Sequence, residues 1–179
     1  QLQFTPGYLP IHLRELTGRD ELELYGTGTE TAIWLIQQLI VDLEGDTANS
    51  VKKADTLVTA DRDRLLAYIY KKSYGPRINS RLYCINCRER FELDFLIDDL
   101  IVFQKPDKGY TATLSNNDGT YRLDEQCKFR LPTGADELTT GCLPPENAAM
   151  ALLELCLQAG DPVTDADRVQ LAMAQIAPI

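Results

Sequence analysis

The chain has 179 residues, of which 44% are hydrophobic and 25% charged, a composition typical of globular proteins that excludes disorder throughout. Its 18 Lys and Arg against 27 Asp and Glu give a formal net charge of -9, so most of the surface would repel a phosphate backbone, and no nucleic-acid partner is expected. The longest apolar run, residues 32–36, is far shorter than the roughly 20 residues that cross a bilayer, so we expect no membrane insertion.

The first segment, residues 1–78, is predicted to contain an extended arm and then helices. Apolar residues alternate over residues 4–16 among prolines, which indicates an arm that runs as an edge strand. Thr17 and the acidic residues after it predict a short helix over residues 17–25. A second helix is expected to begin with Thr29 as its cap.

A third helix is predicted over residues 60–72, ahead of a Gly-Pro pair that stops it. Its helical spacing places Tyr68 and Ile69 toward the core. The same spacing leaves the four charged residues 61–64 in solvent.

The second segment, residues 79–131, changes from helical to strand periodicity. Phe91, Leu93 and Phe95 alternate as the residues of a strand do. Farther along, the Asn-Asn-Asp-Gly sequence at residues 116–119 predicts a hairpin turn, because Asn and Gly tolerate positive φ. We therefore expect a small antiparallel sheet here.

Helices return in the third segment, residues 132–179. Thr133 is predicted to cap a short helix, a longer helix begins near Pro145, and a last one covers residues 165–176. The sequence thus predicts an α+β fold in which helical segments flank a small antiparallel sheet with a CxxC knuckle, arranged as three segments or as one compact unit. We find no internal repeat in the sequence.

The cysteines suggest a metal site. Cys84 and Cys87 form a CxxC pair that can approach one zinc ion from a tight turn. With Cys127 and Cys142 as the remaining sulfur ligands, the pair predicts one structural zinc, although no second CxxC strengthens the pattern. The alternative is unligated thiols beside a turn. Cys156 lies on an apolar helical face and is expected in the core.

The cysteines also indicate the cellular compartment of synthesis and whether redox catalysis is expected. Five cysteines at irregular spacing are not typical of a secreted disulfide framework and favour synthesis in the reducing cytoplasm. A thiol oxidoreductase would need its CxxC at the start of a helix, whereas a strand is predicted to follow this one.

The sequence contains no recognisable set of catalytic residues. The single histidine, His12, lies in the arm between Ile11 and Leu13, and nothing in its flanks resembles a nucleophile elbow. The carboxylate pairs Asp98-Asp99 and Asp136-Glu137 are interpreted as solvated acidic loops, and no glycine-rich phosphate loop follows a strand. We therefore predict a protein that is not an enzyme.

Several short sequence segments, and their order along the chain, are similar to those of a known protein family. They are YLPIHLRELTGRDE at residues 8–21, LVTADRDRLL at residues 57–66, SYG at residues 73–75, the CxxC pair, and FRLPTGADEL at residues 129–138. In this order the chain resembles the T-even phage family of baseplate hub assembly chaperones, found in contractile phage tails and related contractile injection systems.

The resemblance implies a soluble structural protein or assembly chaperone that acts by protein-protein contact and carries no catalytic residues. Its partners would be baseplate, hub or spike proteins of a phage tail-like assembly. It would be made in the cytoplasm and incorporated in a virion or injection particle. The alternative function is a stand-alone zinc-ribbon adaptor that binds an unrelated partner.

Two groups of residues are candidates for partner binding. The backbone of the arm would add a strand to the exposed sheet edge of a partner protein, and apolar side chains of the arm would fill pockets on that partner. These arm residues are Phe4, Tyr8 and Ile11. In the second group, Arg130, Pro132 and Thr133 form a turn that is either a contact surface or a local structure without a partner.

Overall fold

A computed structural model describes residues 2–6, 11–41, 53–100, 113–115, 118–162 and 164–176. Helices and small antiparallel sheets alternate along the chain, which confirms the predicted α+β class. The helices are α1 (Gly18–Leu22), α2 (Thr29–Leu39), α3 (Thr59–Tyr74), α4 (Gly134–Thr140), α5 (Pro145–Cys156) and α6 (Ala166–Ile176). The strands are β1 (Arg77–Tyr83), β2 (Arg90–Leu96), β3 (Thr113–Ser115), β4 (Thr120–Arg122), β5 (Lys128–Arg130) and β6 (Leu157–Ala159). No helix among the described residues is long and apolar enough to cross a membrane.

The strands form two separate antiparallel sheets. β1 and β2 pair with each other as a hairpin, in register from Arg77 opposite Leu96 to Tyr83 opposite Arg90. The other four strands form a sheet in the order β3-β4-β5-β6. The pairing of β3 with β4 confirms the hairpin predicted around the Asn-Asn-Asp-Gly sequence.

Two clusters of buried side chains make up the core. The first cluster consists of Phe4, Val58, Ala60, Tyr121, Cys127, Phe129, Leu131, Leu153, Val169 and Ala172. The second consists of Leu2, Ile36, Leu39, Ala54, Leu57 and Ile69. Because the first cluster takes residues from all three predicted segments, these segments share a core, and the division at residues 78 and 131 stays a prediction.

The start of α3 differs from the sequence-based expectation. Asp61 and Arg62 are buried, at 3% and 7% exposure, while Tyr68 is 51% exposed. The Asp61 carboxylate accepts backbone N–H hydrogen bonds from Gln3 at 2.9 Å, Phe4 at 2.8 Å and Thr5 at 2.6 Å. The N-terminal segment therefore covers this turn of α3, which helical spacing within α3 alone does not reveal.

A local structure occurs twice in the chain, so the expectation of no internal repeat was wrong. The sequence R-x-x-T-G-x-D-E-L begins at Arg14 and again at Arg130, 116 positions later by subtraction of the two numbers. In each copy the Thr begins a capping box with the Asp three residues on, at the start of α1 and of α4. The Arg of each copy donates two hydrogen bonds to the same Asp, at 2.6 to 2.8 Å.

The elements around the two copies correspond as well. Each copy is followed by a second helix, α2 or α5, and the chain then returns to pair with the residue ahead of the motif. Leu13 pairs with Ile40 in the first copy, and Phe129 pairs with Leu157 in the second. Along the chain, the hairpin of β1 and β2 lies between the half that contains the first copy and the half that contains the second.

Candidate interaction surface

The β1–β2 hairpin carries an apolar face that the described part of the protein leaves exposed. Opposite residues of an antiparallel pair lie on the same face, which defines the apolar face as Ile78, Ser80, Leu82, Phe91, Leu93 and Phe95. Leu82 is 42% exposed, Phe91 45% and Leu93 40%. An isolated two-stranded hairpin normally needs such a face covered to be stable, so this face has the character of an interaction surface.

The opposite face of the hairpin is charged. Arg77 and Asp94 form an ion pair at 2.5 Å, and Arg81 and Glu92 form one at 3.4 Å. Exposed pairs of this kind contribute little to stability, roughly 0 to 1 kcal/mol each. The charged face therefore belongs in solvent, and the apolar face is the one suited to contact.

The tip of the hairpin is the turn that contains the CxxC pair. Cys84 accepts the backbone N–H of Arg88 at its carbonyl, at 2.8 Å, and its own N–H donates to the Glu89 carbonyl at 2.9 Å. Arg88 adopts φ 59, in the left-handed region, which lets the chain reverse immediately after Cys87. The turn holds both thiols on the same tip.

Hydrogen bonds also act on the Cys84 sulfur. Backbone N–H groups of Cys87 and Asn86, and then the Cys87 side chain, donate to it and lower the pKa of the Cys84 thiol. Bonds of this kind favour the thiolate, which is the form that binds metal. Ile85, between the two cysteines, is 94% exposed.

The other predicted zinc ligands lie elsewhere. Cys127 is buried in the first core cluster, where burial raises the pKa of its thiol. Cys142 is exposed just after α4 and donates to the Thr139 carbonyl at 3.3 Å. Within the described ranges, no three His, Cys, Asp or Glu side chains are arranged to hold a metal ion. The structure thus brings together Cys84 and Cys87, and zinc binding stays a prediction.

The predicted arm residues fall in different environments. Phe4 is 8% exposed in the first core cluster, beneath the backbone held by Asp61. Ile11 is partly buried against the second cluster. Tyr8 lies outside the described residues. The arm is docked on its own chain at both described ends, since Leu13 also bridges to Ile40.

The predicted contact turn is tied into its own chain. Arg130 and Thr133 both donate to the Asp136 carboxylate, and the Pro132 carbonyl accepts the Thr59 N–H at 3.0 Å. Asp136 lies in α4 and is 8% exposed, so the solvated loop expected at this carboxylate was wrong. Arg130 also donates to the Leu155 carbonyl at 3.0 Å. The polar groups of these residues stabilise the fold of their own chain. Partner binding by these residues stays a prediction.

A second apolar surface lies beside α3. It is a recess of about 550 Å³ at the junction of α3 with the 3-10 turn Ile97–Leu100 that follows β2. Its apolar lining includes Leu16, Leu24, Leu35, Leu66, Ile97 and Leu100. Concave apolar surfaces of this size suit binding of a side chain or small group.

Sequence reasoning missed the hairpin face as a site. The alternation of Phe91, Leu93 and Phe95 is visible in the sequence, but an alternating strand normally has its apolar face in the core. The cross-strand partners of these residues, above all Leu82, are the signal that would have pointed to a continuous face.

Comparison with known proteins supplies the family. The family described as T4 bacteriophage base plate protein matches residues 4–170. No curated protein and no solved structure matches the chain. The matched region contains both copies of the repeated motif, the hairpin and the first part of α6. On this match, the chain belongs to the T4 bacteriophage base plate protein family.

Proposed function

We propose that the protein is a structural or assembly subunit of the baseplate of a contractile phage tail-like machine. The observation that carries this proposal is the family match over residues 4–170. The chain would act by contact with hub, spike or neighbouring baseplate proteins and would be incorporated in, or act on, a virion or injection particle.

Contact, not catalysis, is the mode of action that we propose. The exposed apolar face of the hairpin has no titratable side chain among its six residues. Burying apolar area of this kind is the main favourable term in protein association. The charged opposite face would keep the hairpin in solvent until a partner covers the apolar one.

The finer role of hub assembly chaperone is also a proposal. A chaperone would hold a hub protein during assembly and then leave, whereas a subunit would stay in the particle. The resemblance of the two R-x-x-T-G-x-D-E-L phrases to the chaperone family supports the first of these roles.

Deletion of the gene from the phage or injection cluster tests the proposal. We expect particles without complete baseplates in electron micrographs, and restoration by the wild-type chain supplied in trans but not by an empty vector. Normal baseplates in the deletion strain would refute the baseplate role. Mass spectrometry of finished particles then separates a retained subunit, which is present, from a released chaperone, which is absent.

The second candidate is a stand-alone zinc-ribbon adaptor for an unrelated partner. The hydrogen-bonded CxxC turn is the feature that favours it. Normal particles in the deletion strain, together with a zinc-loaded chain that copurifies with a protein from outside the tail cluster, would favour this function over the first.

A further inference from the structure

The internal repeat extends beyond the R-x-x-T-G-x-D-E-L motif. The sequence V-T-A-D-R at residues 58–62 leads into α3, and V-T-D-A-D-R at residues 163–168 leads into α6. Each half of the chain therefore has the same order of parts: the motif, a second helix, a V-T segment and a last helix. Units of repeat proteins are stabilised by contact with the units beside them.

Two names describe the parts of each half. The first and second motifs are residues 14–22 and 130–138. The docking element of a half is its second helix together with its V-T segment. The first docking element is α2 with residues 57–62, and the second is α5 with residues 164–168.

Within the chain, the first docking element binds the second motif. The Gly134 N–H donates to the Leu57 carbonyl at 3.1 Å. The Glu137 carboxylate accepts hydrogen bonds from Thr29 of α2, at 3.0 Å, and from Arg62 of α3. The second motif thus receives a helix and an extended segment from the half that precedes it.

This close contact requires the glycine of the second motif. A Cβ added at Gly134 would lie 2.7 Å from Cδ1 of Ile33 and 3.3 Å from the Asp55 carbonyl oxygen. Around Gly18, the same glycine of the first motif, no atom of the described residues except its chain neighbours lies within 4 Å of an added Cβ. Both motifs have the glycine, but a docked element packs against it only in the second.

The first motif is exposed where the second is covered. Thr17, Gly18 and Glu21 are exposed, whereas their counterparts at positions 133, 134 and 137 are buried or half-buried. Glu21 accepts a hydrogen bond from the Tyr74 hydroxyl at 2.6 Å and still lies at the surface. The first motif therefore presents the surface that binds a docking element in the second.

Apolar side chains beside the first motif also lie in solvent. Leu22 is 81% exposed and Tyr25 is 83% exposed. The terminal unit of a repeat protein needs a polar outer face to remain soluble by itself. Two large apolar side chains at this end indicate a surface that a further unit covers.

At the other end of the repeat, the second docking element is exposed. Ala149 of α5 occupies the position that Ile33 occupies in α2, and Ala149 is exposed. Thr164, which corresponds to Thr59 in the V-T segment, is exposed as well. The chain thus has one motif and one docking element that are not bound to each other.

We propose that the second docking element of one copy of this chain binds the first motif of another copy, as the first docking element binds the second motif within the chain. The occupant is a second copy because its own docking element has the helix and V-T segment that the covered motif already binds. The two contacting surfaces differ, so further copies add at each end until a ring closes or a filament grows.

This contact is weak between separate chains. Inside the chain, the short connection between the halves gives the docking element an effective concentration of about 1 mM. Separate copies lack that connection, and each carries a formal charge of -9. Association of the isolated chain therefore requires high protein concentration and enough salt to screen the repulsion between copies.

Sedimentation equilibrium of the full chain tests the proposal. In about 1 M NaCl, where charges are screened beyond roughly 3 Å, we expect the average molar mass to rise above the 20.1 kDa of one chain as the concentration approaches about 1 mM. A chain that stays monomeric over this range would overturn the proposal. The proposal does not rest on the baseplate role, so this result would leave that role untouched.

Two variants block the two surfaces separately. Gly18→Trp fills the space against which a docking element packs, and Ala149→Trp enlarges the helix face that packs there. We expect each variant by itself to remain monomeric, because it has only one of the two surfaces. An equimolar mixture should form a dimer and nothing larger. Association of either variant at the wild-type level, or a mixture that stays monomeric, would contradict a head-to-tail contact.

Glu23→Trp and Glu154→Trp are the matched controls. They introduce the same side chain at exposed positions of the motif end and of α5. Their counterparts in the docked pair, Thr139 and Gln38, are also exposed. Both controls should associate like the wild type, and loss of association in either would place the contact elsewhere and overturn the proposal. Circular dichroism checks that every variant is folded.

Discussion

Two buried aspartates show how single residues fix the local structure. Arg14 and Thr17 donate to Asp20 and hold the pKa of that carboxyl well below its usual range. Burial by itself would raise the pKa of Asp136, but the hydrogen bonds from Arg130 and Thr133 outweigh burial and lower the pKa to about 2. Both carboxylates are therefore ionised at neutral pH and anchor the start of a helix.

The low pKa of Asp136 predicts a dependence of stability on pH. Because the pKa of Asp136 is lower in the folded state than in the unfolded chain, where it is about 4, the carboxylate adds about 2 kcal/mol of stability above pH 4. This stability is lost as pH falls toward 2. Asp136→Asn should remove about that much at pH 7 and almost nothing at pH 2.

Urea unfolding at a series of pH values measures this effect. Asp98→Asn is the control, because Asp98 is exposed and forms a surface ion pair with Lys71 at 2.7 Å. It should change the unfolding free energy by less than about 0.5 kcal/mol. A loss for Asp136→Asn that is equal at pH 7 and pH 2 would contradict the assigned ionisation.

At the scale of elements, Gly75 decides where α3 ends and the hairpin begins. Its φ of 90 lies where a residue with a Cβ is strained. Apart from its two chain neighbours, no atom of the described residues lies within 4 Å of the position a Cβ would take. Gly75→Ala should therefore destabilise the protein by about 1 kcal/mol through backbone strain alone.

Gly18→Ala is the matched control for Gly75→Ala. Gly18 also has open space around the added Cβ, but its backbone φ is ordinary for any residue and it lies within α1. We expect a neutral or slightly stabilising effect, by up to about 1 kcal/mol, because Ala favours helix. Thermal unfolding compares the two variants, and equal melting temperatures would argue against strain at Gly75.

At the scale of the whole molecule, the two core clusters are joined by the chain around Leu57 and Val58. The Gly134 N–H donates to the Leu57 carbonyl at 3.1 Å, and Val58 bridges to Thr133. Arg62 of α3 pairs with Glu137 of α4. These contacts connect the two halves that carry the repeated motif.

Because these contacts connect the two core clusters, we expect both clusters to unfold in a single transition. Phe129 is fully buried in the first cluster, so Phe129→Ala should cost about 3 to 5 kcal/mol. The single tryptophan, Trp34, lies in α2, the helix that supplies Ile36 and Leu39 to the second cluster. Its fluorescence should report the same lowered midpoint as circular dichroism. A Trp34 transition that stays at the wild-type midpoint would mean that the clusters unfold independently.

The control for Phe129→Ala is an aromatic residue of comparable size at the surface. Tyr83 is 69% exposed on the charged face of the hairpin. Tyr83→Ala should shift neither signal by more than the equivalent of about 0.5 kcal/mol.

Local rules in the sequence determined most of the elements. Helical spacing predicts α2, α3, α5 and α6, the Thr133 cap predicts α4, and strand alternation predicts β2. The resemblance also came from ordered phrases, and the match over residues 4–170 confirms it at the level of the T4 bacteriophage base plate protein family. These signals are visible because each depends on residues within a few positions of one another.

Tertiary structure alone decided which faces are covered. Asp61 looks solvated within α3 but is buried because residues 3–5, far away in sequence, donate their N–H groups to it. Phe91 and Leu93 look like core residues but remain exposed, since no described element packs on the hairpin face. Burial depends on which distant segments meet, and a local pattern specifies a face without specifying its partner.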